Sequence, residues 1–426
     1  DYSLPIWKEV KNLIKDYNPS VVGISAKTQN FVSACIVAKI AKEINPEIKI
    51  IVGGVHPTMN GSKVLDHEDI DFLSIGEGEK TIVELLHALE NDKELNTVKG
   101  IVFKDNGKII STKSQSYIEN LDTLNFPLTN ASKVLIDFDK YPKEAFGYIF
   151  TSRGCPYACT FCESKSMWTR KVRYRSPENV IAELKQLYEF GIKKVNFDDD
   201  TFGVSKKNIK AINDLMHDEL PNMTYTCETV VQLAKDENVV KDMKRGGCTA
   251  TFVGIESGSN EILKKIKKTQ TTEECIQAMQ NLRKHDIESH AFIMVGFPDE
   301  TEETFMQTIN FISKLKPDSV IFSIFTPYPG SDIYNECKDK GIIQGDFDLS
   351  LYNHQSPLNC FVKNIPKERF YKLRKKAFEF VDNYNRKAKF RRGITSLRKL
   401  GVRATWRRVY RHFYSKFLKY TIVKSN

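Results

Sequence analysis

Long apolar runs and paired cysteines are both missing from this sequence of 426 residues. No stretch approaches the roughly 20 uninterrupted apolar residues of a transmembrane helix, so no membrane-spanning segment is predicted. The nine cysteines show no paired spacing, which favours a reducing compartment where thiolates bind metals or clusters and do not form disulfides. Acidic residues are absent from residues 383–426, although arginine and lysine recur there. The net charge of +10 therefore resides largely in this segment.

Three cysteines lie close together in the sequence, at Cys155, Cys159 and Cys162, after the apolar run 148–150. They can converge on one metal centre, but they supply one ligand too few for a closed tetrahedral site. A structural zinc ion would need a further ligand from a distant part of the fold, since the nearest other cysteine is Cys227. An iron–sulfur cluster held by three cysteines would instead leave one iron open for chemistry.

The Cys-x3-Cys-x2-Cys spacing, with an aromatic residue at Phe161 before the last cysteine, resembles the cluster loop of radical S-adenosylmethionine (SAM) enzymes. The resemblance implies that the three cysteines hold a [4Fe–4S] cluster and that the amine and carboxylate of SAM bind its open iron. One-electron cleavage of SAM would then give a 5′-deoxyadenosyl radical that abstracts hydrogen from the substrate. It also implies a low-potential electron donor such as a flavodoxin or a ferredoxin.

Strand and helix patterns alternate over the first part of the chain. Strands are expected at residues 21–25, 48–52 and 71–75, a helix at 32–44, and a hairpin at 100–112. This rhythm predicts a Rossmann-like unit with a parallel sheet. Glycines follow two of the strands, and they allow a ligand to approach the backbone closely.

The pattern resembles the second half of the cobalamin-binding domain that precedes many radical enzymes. The resemblance implies that the corrin and its nucleotide tail lie against Ser25, Gly53, Gly54, His56, Gly76 and Glu77. The first strand and helix of that family are not present, so we expect residues 1–119 to be an N-terminally truncated domain, in a chain that starts at Asp1. His56 is expected to shape the pocket and not to bind cobalt. The alternative is a degenerate Rossmann unit kept for docking.

Further strand and helix patterns follow a linker at residues 120–142. Over residues 143–335 they predict a partial (β/α)6 barrel with chemistry at the C-terminal ends of the strands. The strands are expected at residues 145–152, 194–198, 223–227, 250–255, 288–294 and 319–325. The predicted fold class is therefore α/β: an incomplete Rossmann-like domain, a radical SAM partial barrel, and a helical, basic C-terminal region at residues 336–426.

Polar residues and glycines stand at several predicted strand ends, and the resemblance implies cofactor contacts for them. Asp199 is expected to approach the amine of SAM. Glu256 and Ser257 are expected at its ribose and carboxylate, and Gly296 and Pro298 beside its adenine. A solvated acidic loop would also explain the aspartate, and helix capping would explain the serine.

Together these motifs resemble the cobalamin-type radical enzymes that include the anaerobic cyclase of chlorophyll synthesis and several lipid C-methylases. The resemblance implies a methyltransferase or oxidoreductase that methylates or cyclises a lipid-like substrate or a secondary metabolite. One departure is that relatives often have Cys-Glu-Thr-Arg-Val-Asp where this chain reads Cys-Glu-Thr-Val-Val-Gln at residues 227–232.

Two alternatives stay open. A tRNA-modifying methylthiotransferase needs a second cysteine set in its N-terminal domain, where Cys35 stands alone. A non-catalytic iron–sulfur electron-transfer protein would not require the polar strand ends.

The basic C-terminal segment shows apolar residues at helical spacing from residue 394 to 418. Such a helix can lie on an anionic membrane surface, or it can pack on the barrel with a solvated basic face. Nucleic acid binding is less favoured. We expect a cytoplasmic protein with a small-molecule or lipid-like substrate, peripheral to the inner face of the membrane in the first interpretation.

Overall fold

Two sheets carry the α/β units in the computed structural model, which describes residues 4–343, 353, 356 and 358–393. The tail helix predicted for residues 394–418 lies outside these residues. Within the described part of the chain, no helix is both long and apolar enough to cross a bilayer.

The first sheet has five strands in their order along the chain. They are β1 (Val21–Ser25), β2 (Lys49–Gly53), β3 (Phe72–Ser74), β4 (Ile101–Asp105) and β5 (Lys108–Ser111). The first three are parallel, and the last two add an antiparallel hairpin. Its turn residues, Asn106 and Gly107, both have left-handed backbones with φ of 48° and 76°, as a tight hairpin turn requires. The predicted strands and hairpin are confirmed.

Four helices cover this first sheet. They are α1 (Pro5–Tyr17), α2 (Phe31–Ile44), α3 (Val55–Asn60) and α4 (Gly78–Glu90). Small buried residues on α2, among them Ala34, Ala38 and Ala41, let its axis lie close to the strands. The linker is partly helical, because α5 (Pro127–Val134) lies within it.

The second sheet has six strands, all parallel, as predicted for a partial barrel. They are β6 (Tyr148–Ile149), β9 (Lys194–Phe197), β10 (Thr224–Val230), β11 (Cys248–Glu256), β12 (Glu288–Val295) and β13 (Ser319–Ile324). The first strand is much shorter than the expected 145–152. The reason is that the amides of Thr151 and Ser152 donate to the carboxylate of Asp199 and so leave the strand ladder.

The chain then forms a small antiparallel ribbon of β7 (Ser152–Arg153) and β8 (Arg173–Tyr174). Within the residues that the structure describes, ten helices follow or flank the strands of this unit. They are α6 (Ser164–Trp168), α7 (Pro177–Glu189), α8 (Lys206–Glu219), α9 (Val231–Ala234), α10 (Glu237–Arg245), α11 (Asn260–Lys265), α12 (Thr272–Lys284), α13 (Glu302–Leu315), α14 (Asp332–Asp339) and α15, which is described over residues 367–393.

Helix α15 covers the edge strand β13. The side chain of Asn385 accepts from the amide of Val320 at 2.8 Å and donates to its carbonyl at 2.9 Å. An otherwise open sheet edge is thereby paired, which limits association through that edge.

A buried carboxyl group stands at the turn from β12 to α13. Glu300 is fully buried and accepts from the amide of Gly296, and its second oxygen has no hydrogen-bond partner among the described residues. Burial raises the pKa of Glu300 from 4.5 to about 8.

We therefore predict that the free energy of unfolding depends on pH and that Glu300→Gln weakens this dependence. A carboxyl group with a raised pKa in the folded state contributes its full stability below pH 4.5, and that contribution is lost as the pH rises toward about 8. Urea unfolding measured between pH 4.5 and about 8 should show a smaller fall in the free energy of unfolding for the variant than for the wild type. The exposed neighbour Glu303→Gln is the control, and equal slopes in all three proteins would contradict the prediction.

Candidate active site

The three clustered cysteines line one cavity at the C-terminal ends of the barrel strands. They lie in the connection between β7 and β8, residues 154–172, which we call the cluster loop. The cavity is partly open and has a volume of about 170 Å³. The sulfur of Cys155 lies 3.4 Å from the Thr201 hydroxyl, and that of Cys162 accepts from the amide of Ser164 at 3.4 Å.

These thiols suit a cluster. Burial raises the pKa of Cys159 and raises that of Cys162 to about 12, so each needs a bound cation to become a thiolate. Within the described ranges, no three Cys, His, Asp or Glu side chains converge as the ligands of a single ion do. A cubic cluster does not require its three cysteines to converge on one ion, because each thiolate binds a different iron.

A buried ion pair forms one wall of the cavity. The ammonium of Lys268 lies 2.9 Å from the carboxylate of Glu256, and both side chains are 9% exposed. Burial alone would lower the pKa of Lys268, but the charges of Glu256 and of the nearby Cys159 hold it above its ordinary value. Glu256 is predicted from its place at a strand end, whereas Lys268, which follows α11 and not a strand, is not. Its position directly after Lys267 gave no sign that it is buried.

Aromatic side chains form much of the remaining wall. Phe161, Phe252 and Phe292 line the cavity together with the carboxylate of Glu228. Phe161 also packs against Phe297, with ring centroids 6.1 Å apart. Phe161 thus lies where the sequence analysis placed it, beside the cysteines, whereas the other two phenylalanines carried no motif that could have identified them.

Asp199 does not line the cavity, and the contact predicted for it with the SAM amine does not match the structure. It is 3% exposed, and its oxygens accept from the amide and hydroxyl of Thr151 at 2.6 and 2.5 Å and from those of Ser152 at 3.2 and 3.1 Å. The neighbouring Asp200 lines the cavity instead.

Three further predicted SAM contacts lie behind the cavity wall. Ser257 is fully buried. Its hydroxyl lies 2.9 Å from that of Thr308 and accepts from the amide of Ser259, a contact that resembles the helix capping given above as the alternative role. Gly296 has a φ of 94°, and a Cβ there would stand 3.0 Å from the ring of Phe370. The carbonyl of Pro298 accepts from the amide of residue 363. These three positions support the wall and do not face the cavity.

The ligand edge of the first domain, which we define as the ends of β1, β2 and β3 with the turns after them, forms a tight cradle. A Cβ at Gly54 would lie 2.9 Å from the carbonyl of Ala26 and 3.1 Å from the hydroxyl of Ser25. Gly53 faces Ser74, whose buried hydroxyl lacks a hydrogen-bond partner among the described residues. Glycine at position 54 lets the turns of this edge pack closely, and the unsatisfied hydroxyl of Ser74 suits a ligand with polar groups, such as cobalamin.

His56 and Glu77 are both buried side chains. His56 is buried and stacks on Phe31 with centroids 4.0 Å apart, and burial lowers its pKa to about 4, so it packs inside the domain as a neutral ring. Glu77 is turned away from the cradle and pairs with Arg153 and Arg173 of the second unit. Gly76, with a φ of 83°, has open space beside it.

The ligand edge lies against the mouth of the barrel. Helix α3, which follows Gly54, contacts α6 of the cluster loop, and Met59 of α3 lies so close to Gly330 that a Cβ there would not fit. The hydroxyl of Ser166 donates to the carbonyl of Gly330 at 2.6 Å. Helix α3, which follows the cradle, therefore packs against the loop that carries the cysteines.

Comparison with known proteins agrees with this geometry. Residues 149–312 match the Radical SAM superfamily, and residues 1–86 match the B12 binding domain. An uncharacterized methyltransferase of Pyrococcus horikoshii is 35% identical over 376 residues, which are 87% of this chain and 80% of the relative. The chain belongs to the radical SAM superfamily and carries a B12-binding domain.

Other relatives of this radical SAM protein are more distant. The anaerobic magnesium-protoporphyrin IX monomethyl ester cyclase of Rubrivivax gelatinosus is 28% identical over 82% of this chain, which spans only 63% of that cyclase. The cobalamin-dependent SAM radical enzyme OxsB, solved with aqua-cobalamin and SAM bound, gives a TM-score of 0.70 at 16% identity and covers 97% of this chain and 69% of its own. The SAM methyltransferase TsrM from Kitasatospora setae gives 0.67 at 17% identity, covering 79% and 67%. The last two comparisons establish the fold.

Asp199→Asn should destabilise the protein much more than Asp198→Asn. An amide at position 199 loses part of its acceptor capacity and leaves buried donors of Thr151 or Ser152 unsatisfied, at a cost of about 1–3 kcal/mol for each lost bond. Asp198 is exposed, so its variant is the matched control. Denaturant unfolding measures both free energies, and equal stability of the two variants would contradict the structural role given to Asp199.

Proposed function

We propose that this chain is a cobalamin-dependent radical SAM enzyme that methylates or cyclises an unactivated carbon of a lipid-like substrate or secondary metabolite. The observation that carries the proposal is the joining of two sites. Three cysteine thiols of one loop share a cavity at the barrel mouth, and the ligand edge of a B12-binding domain packs against the same loop. The methyltransferase and cyclase names of the relatives support the reaction class.

The residues of the chain would bind, orient and shield the reacting groups. Cys155, Cys159 and Cys162 would hold the [4Fe–4S] cluster, and the cradle at Gly53 and Gly54 would hold cobalamin. When bound, these cofactors would supply the reductive cleavage of SAM. They would also supply the methyl group for a methylation, or the oxidising equivalents for a cyclisation. The chain itself provides a cavity with apolar walls that limits the access of water.

The buried pair of Lys268 and Glu256 is suited to a zwitterion. Its ammonium can turn toward a carboxylate and its carboxylate toward an ammonium, so the pair can orient an amino acid group such as that of SAM. Because both side chains are nearly excluded from solvent, such contacts are stronger here than in water.

The walls favour a substrate that is apolar and not anionic. Phe252, Phe292 and Val230 line the cavity, and Lys268 is the one cation among the described lining residues, where it is already paired with Glu256. Val230 stands at the position where related sequences often have arginine. A carboxylate or phosphate of the substrate would thus lack a free cation in this wall.

The two alternatives draw less support. Cys35 is the single cysteine of residues 1–142, whereas a methylthiotransferase needs a further cysteine set in that part. A simple electron carrier would not need a cavity lined by an ion pair and phenylalanines.

We also propose a cytoplasmic location and reduction by a low-potential flavodoxin or ferredoxin. Both follow from the chemistry of the site, because an open cluster requires reducing surroundings and an external electron.

Peripheral contact with an anionic membrane surface is a further part of the proposal. A groove beside α15 is lined by Lys316, Arg386, Lys387, Arg391 and aromatic residues, with no acidic side chain among the described lining residues. Phe390 in the same groove is 72% exposed. Such a combination of cations and an exposed ring suits anionic phospholipid head groups above an apolar layer.

Reconstitution tests the catalytic proposal. The protein is loaded anaerobically with iron and sulfide and then with hydroxocobalamin, desalted, and reduced in the presence of SAM. We expect retained corrin in the visible spectrum and formation of 5′-deoxyadenosine, because the proposed sites of both cofactors lie in this chain. Alanine at Cys155, Cys159 and Cys162 should abolish deoxyadenosine, whereas the control Cys360→Ala should not. A wild-type protein that holds a cluster but forms no deoxyadenosine would refute the radical mechanism, and loss of all corrin on desalting would refute the cobalamin part.

Vesicle binding tests the membrane contact. Arg386→Glu with Lys387→Glu should weaken co-sedimentation with phosphatidylglycerol vesicles by about tenfold or more, since each cation near such a surface contributes about 1 kcal/mol. Lys193→Glu with Lys207→Glu is the control with the same change in net charge, at exposed positions of the barrel. Equal binding of both double variants, or equal binding of the wild type to neutral vesicles, would argue against a specific basic face.

A further inference from the structure

The neck of the cluster loop brings two arginines directly opposite each other. Strands β7 and β8 enclose the loop, and their register pairs Arg153 with Arg173. Both guanidinium groups are largely buried, with side-chain exposures of 12% and 3%. Like charges at directly opposed positions of an antiparallel pair repel, so this neck would open unless an anion stood between the two side chains.

Glu77 of the first domain supplies that anion. One of its oxygens accepts from Nη1 of Arg153 at 2.6 Å, and the other accepts from Nη1 of Arg173 at 2.9 Å. The same second oxygen accepts from the amide of Ile118 at 2.7 Å, while Arg173 donates to the carbonyl of Ile118 at 2.7 Å. The carboxylate is 3% exposed, and the contacts with Arg173 and Ile118, together with Arg153, hold its pKa below its ordinary value despite burial.

The loop itself contributes to this arrangement. The ring of Trp168, from α6 within the cluster loop, lies 5.6 Å from the guanidinium of Arg153 and 5.9 Å from that of Arg173. Gly154, the next residue after Arg153, has a φ of 100° and leaves no room for a Cβ beside the carbonyl of Lys171. The neck is therefore closed tightly, one residue before the first cysteine.

The position of Glu77 in its own domain connects the neck to the ligand edge. Glu77 directly follows Gly76, whose amide donates to the hydroxyl of Thr58 at 3.0 Å. Thr58 in turn donates to the carbonyl of Gly54 at 2.7 Å, within the cradle. A shift of the cradle would thus be transmitted to Glu77 through two hydrogen bonds and one peptide unit.

We propose that Glu77 is a positioning residue for the cluster, which closes the neck of the cluster loop by neutralising Arg153 and Arg173 and thereby ties the cysteines to the cobalamin side of the protein. The inference rests on the proposed cluster site. It assigns to Glu77 a role in the second unit, although its sequence position belongs to the first.

The chain offers two matched controls. Glu79 also pairs with Arg153, through Nη2 at 2.6 Å, but its side chain is 38% exposed, so its loss should be compensated by water. Glu183 forms a buried pair with Arg175 at 2.5 Å, on the segment that follows β8. Glu183→Gln therefore disturbs a buried ion pair of similar kind without touching the neck.

The first measurement is the rate at which reconstituted protein loses iron to a chelator under nitrogen. Glu77→Gln should release iron about tenfold faster than the wild type, because the buried Arg173 then loses its carboxylate partner and Arg153 keeps the partly exposed Glu79 alone as its partner. Glu79→Gln and Glu183→Gln should stay close to the wild type. Glu77→Gln combined with Arg173→Gln should recover much of the difference, since only one cation then remains in the neck. Rates for Glu77→Gln that equal those of the wild type, or of Glu183→Gln, would overturn the proposal.

The second measurement does not depend on the cluster. Hydrogen–deuterium exchange of peptides from residues 154–172 should be faster in Glu77→Gln than in either control, with peptides from α8 and α12 unchanged. If Glu77→Gln accelerates exchange of residues 154–172 alone while the wild type takes up no iron, the role of Glu77 at the neck stands and the proposed cluster is refuted. Uniform acceleration throughout the barrel would show general loosening and would overturn the proposal.

Discussion

The buried carboxylate of Asp199 determines where the barrel strand ends and the cluster loop begins. By accepting from the amides and hydroxyls of Thr151 and Ser152, it ends the first barrel strand after Ile149 and turns the chain into the β7–β8 ribbon. Hydrogen bonds to a charged group are worth about 1.5–3 kcal/mol each, so this turn is strongly specified. The position of the cysteine loop depends on this turn, and with it the cavity wall that the loop forms and its contact with the first domain.

Two sets of buried ion pairs lie close to this loop. Glu256 pairs with Lys268 inside the cavity, and Glu77 pairs with two arginines at the neck. A buried ion pair contributes little net stability compared with apolar packing, but breaking one partner is costly. The pairs therefore serve orientation more than stability: Glu256 and Lys268 hold each other in the cavity wall, and Glu77 joins the neck of the cysteine loop to the first domain.

The sequence identified the features that depend on local pattern. Strand order, the hairpin at Asn106 and Gly107, and the cysteine loop all follow from periodicity, turn chemistry or spacing along the chain. The direction of side chains at strand ends does not, which is why Asp199 was assigned to the cofactor while Asp200 lines the cavity. Glu77 shows the same limit, because its motif belongs to a ligand loop and its arginine partners lie 76 and 96 residues away in another unit. Lys268 was missed since no pattern in the turn after α11 predicts burial of a lysine.

Mössbauer spectroscopy of the protein reconstituted with labelled iron tests the central claim most directly, namely that the loop of Cys155, Cys159 and Cys162 holds one cluster with an open iron beside the wall of Lys268 and Glu256. Spectra are recorded anaerobically before and after addition of SAM. The account predicts a [4Fe–4S] signal in which one iron alone changes its isomer shift when SAM binds, because three irons keep their thiolate ligands. A spectrum that SAM leaves unchanged, or a protein that binds zinc and no iron, would contradict it.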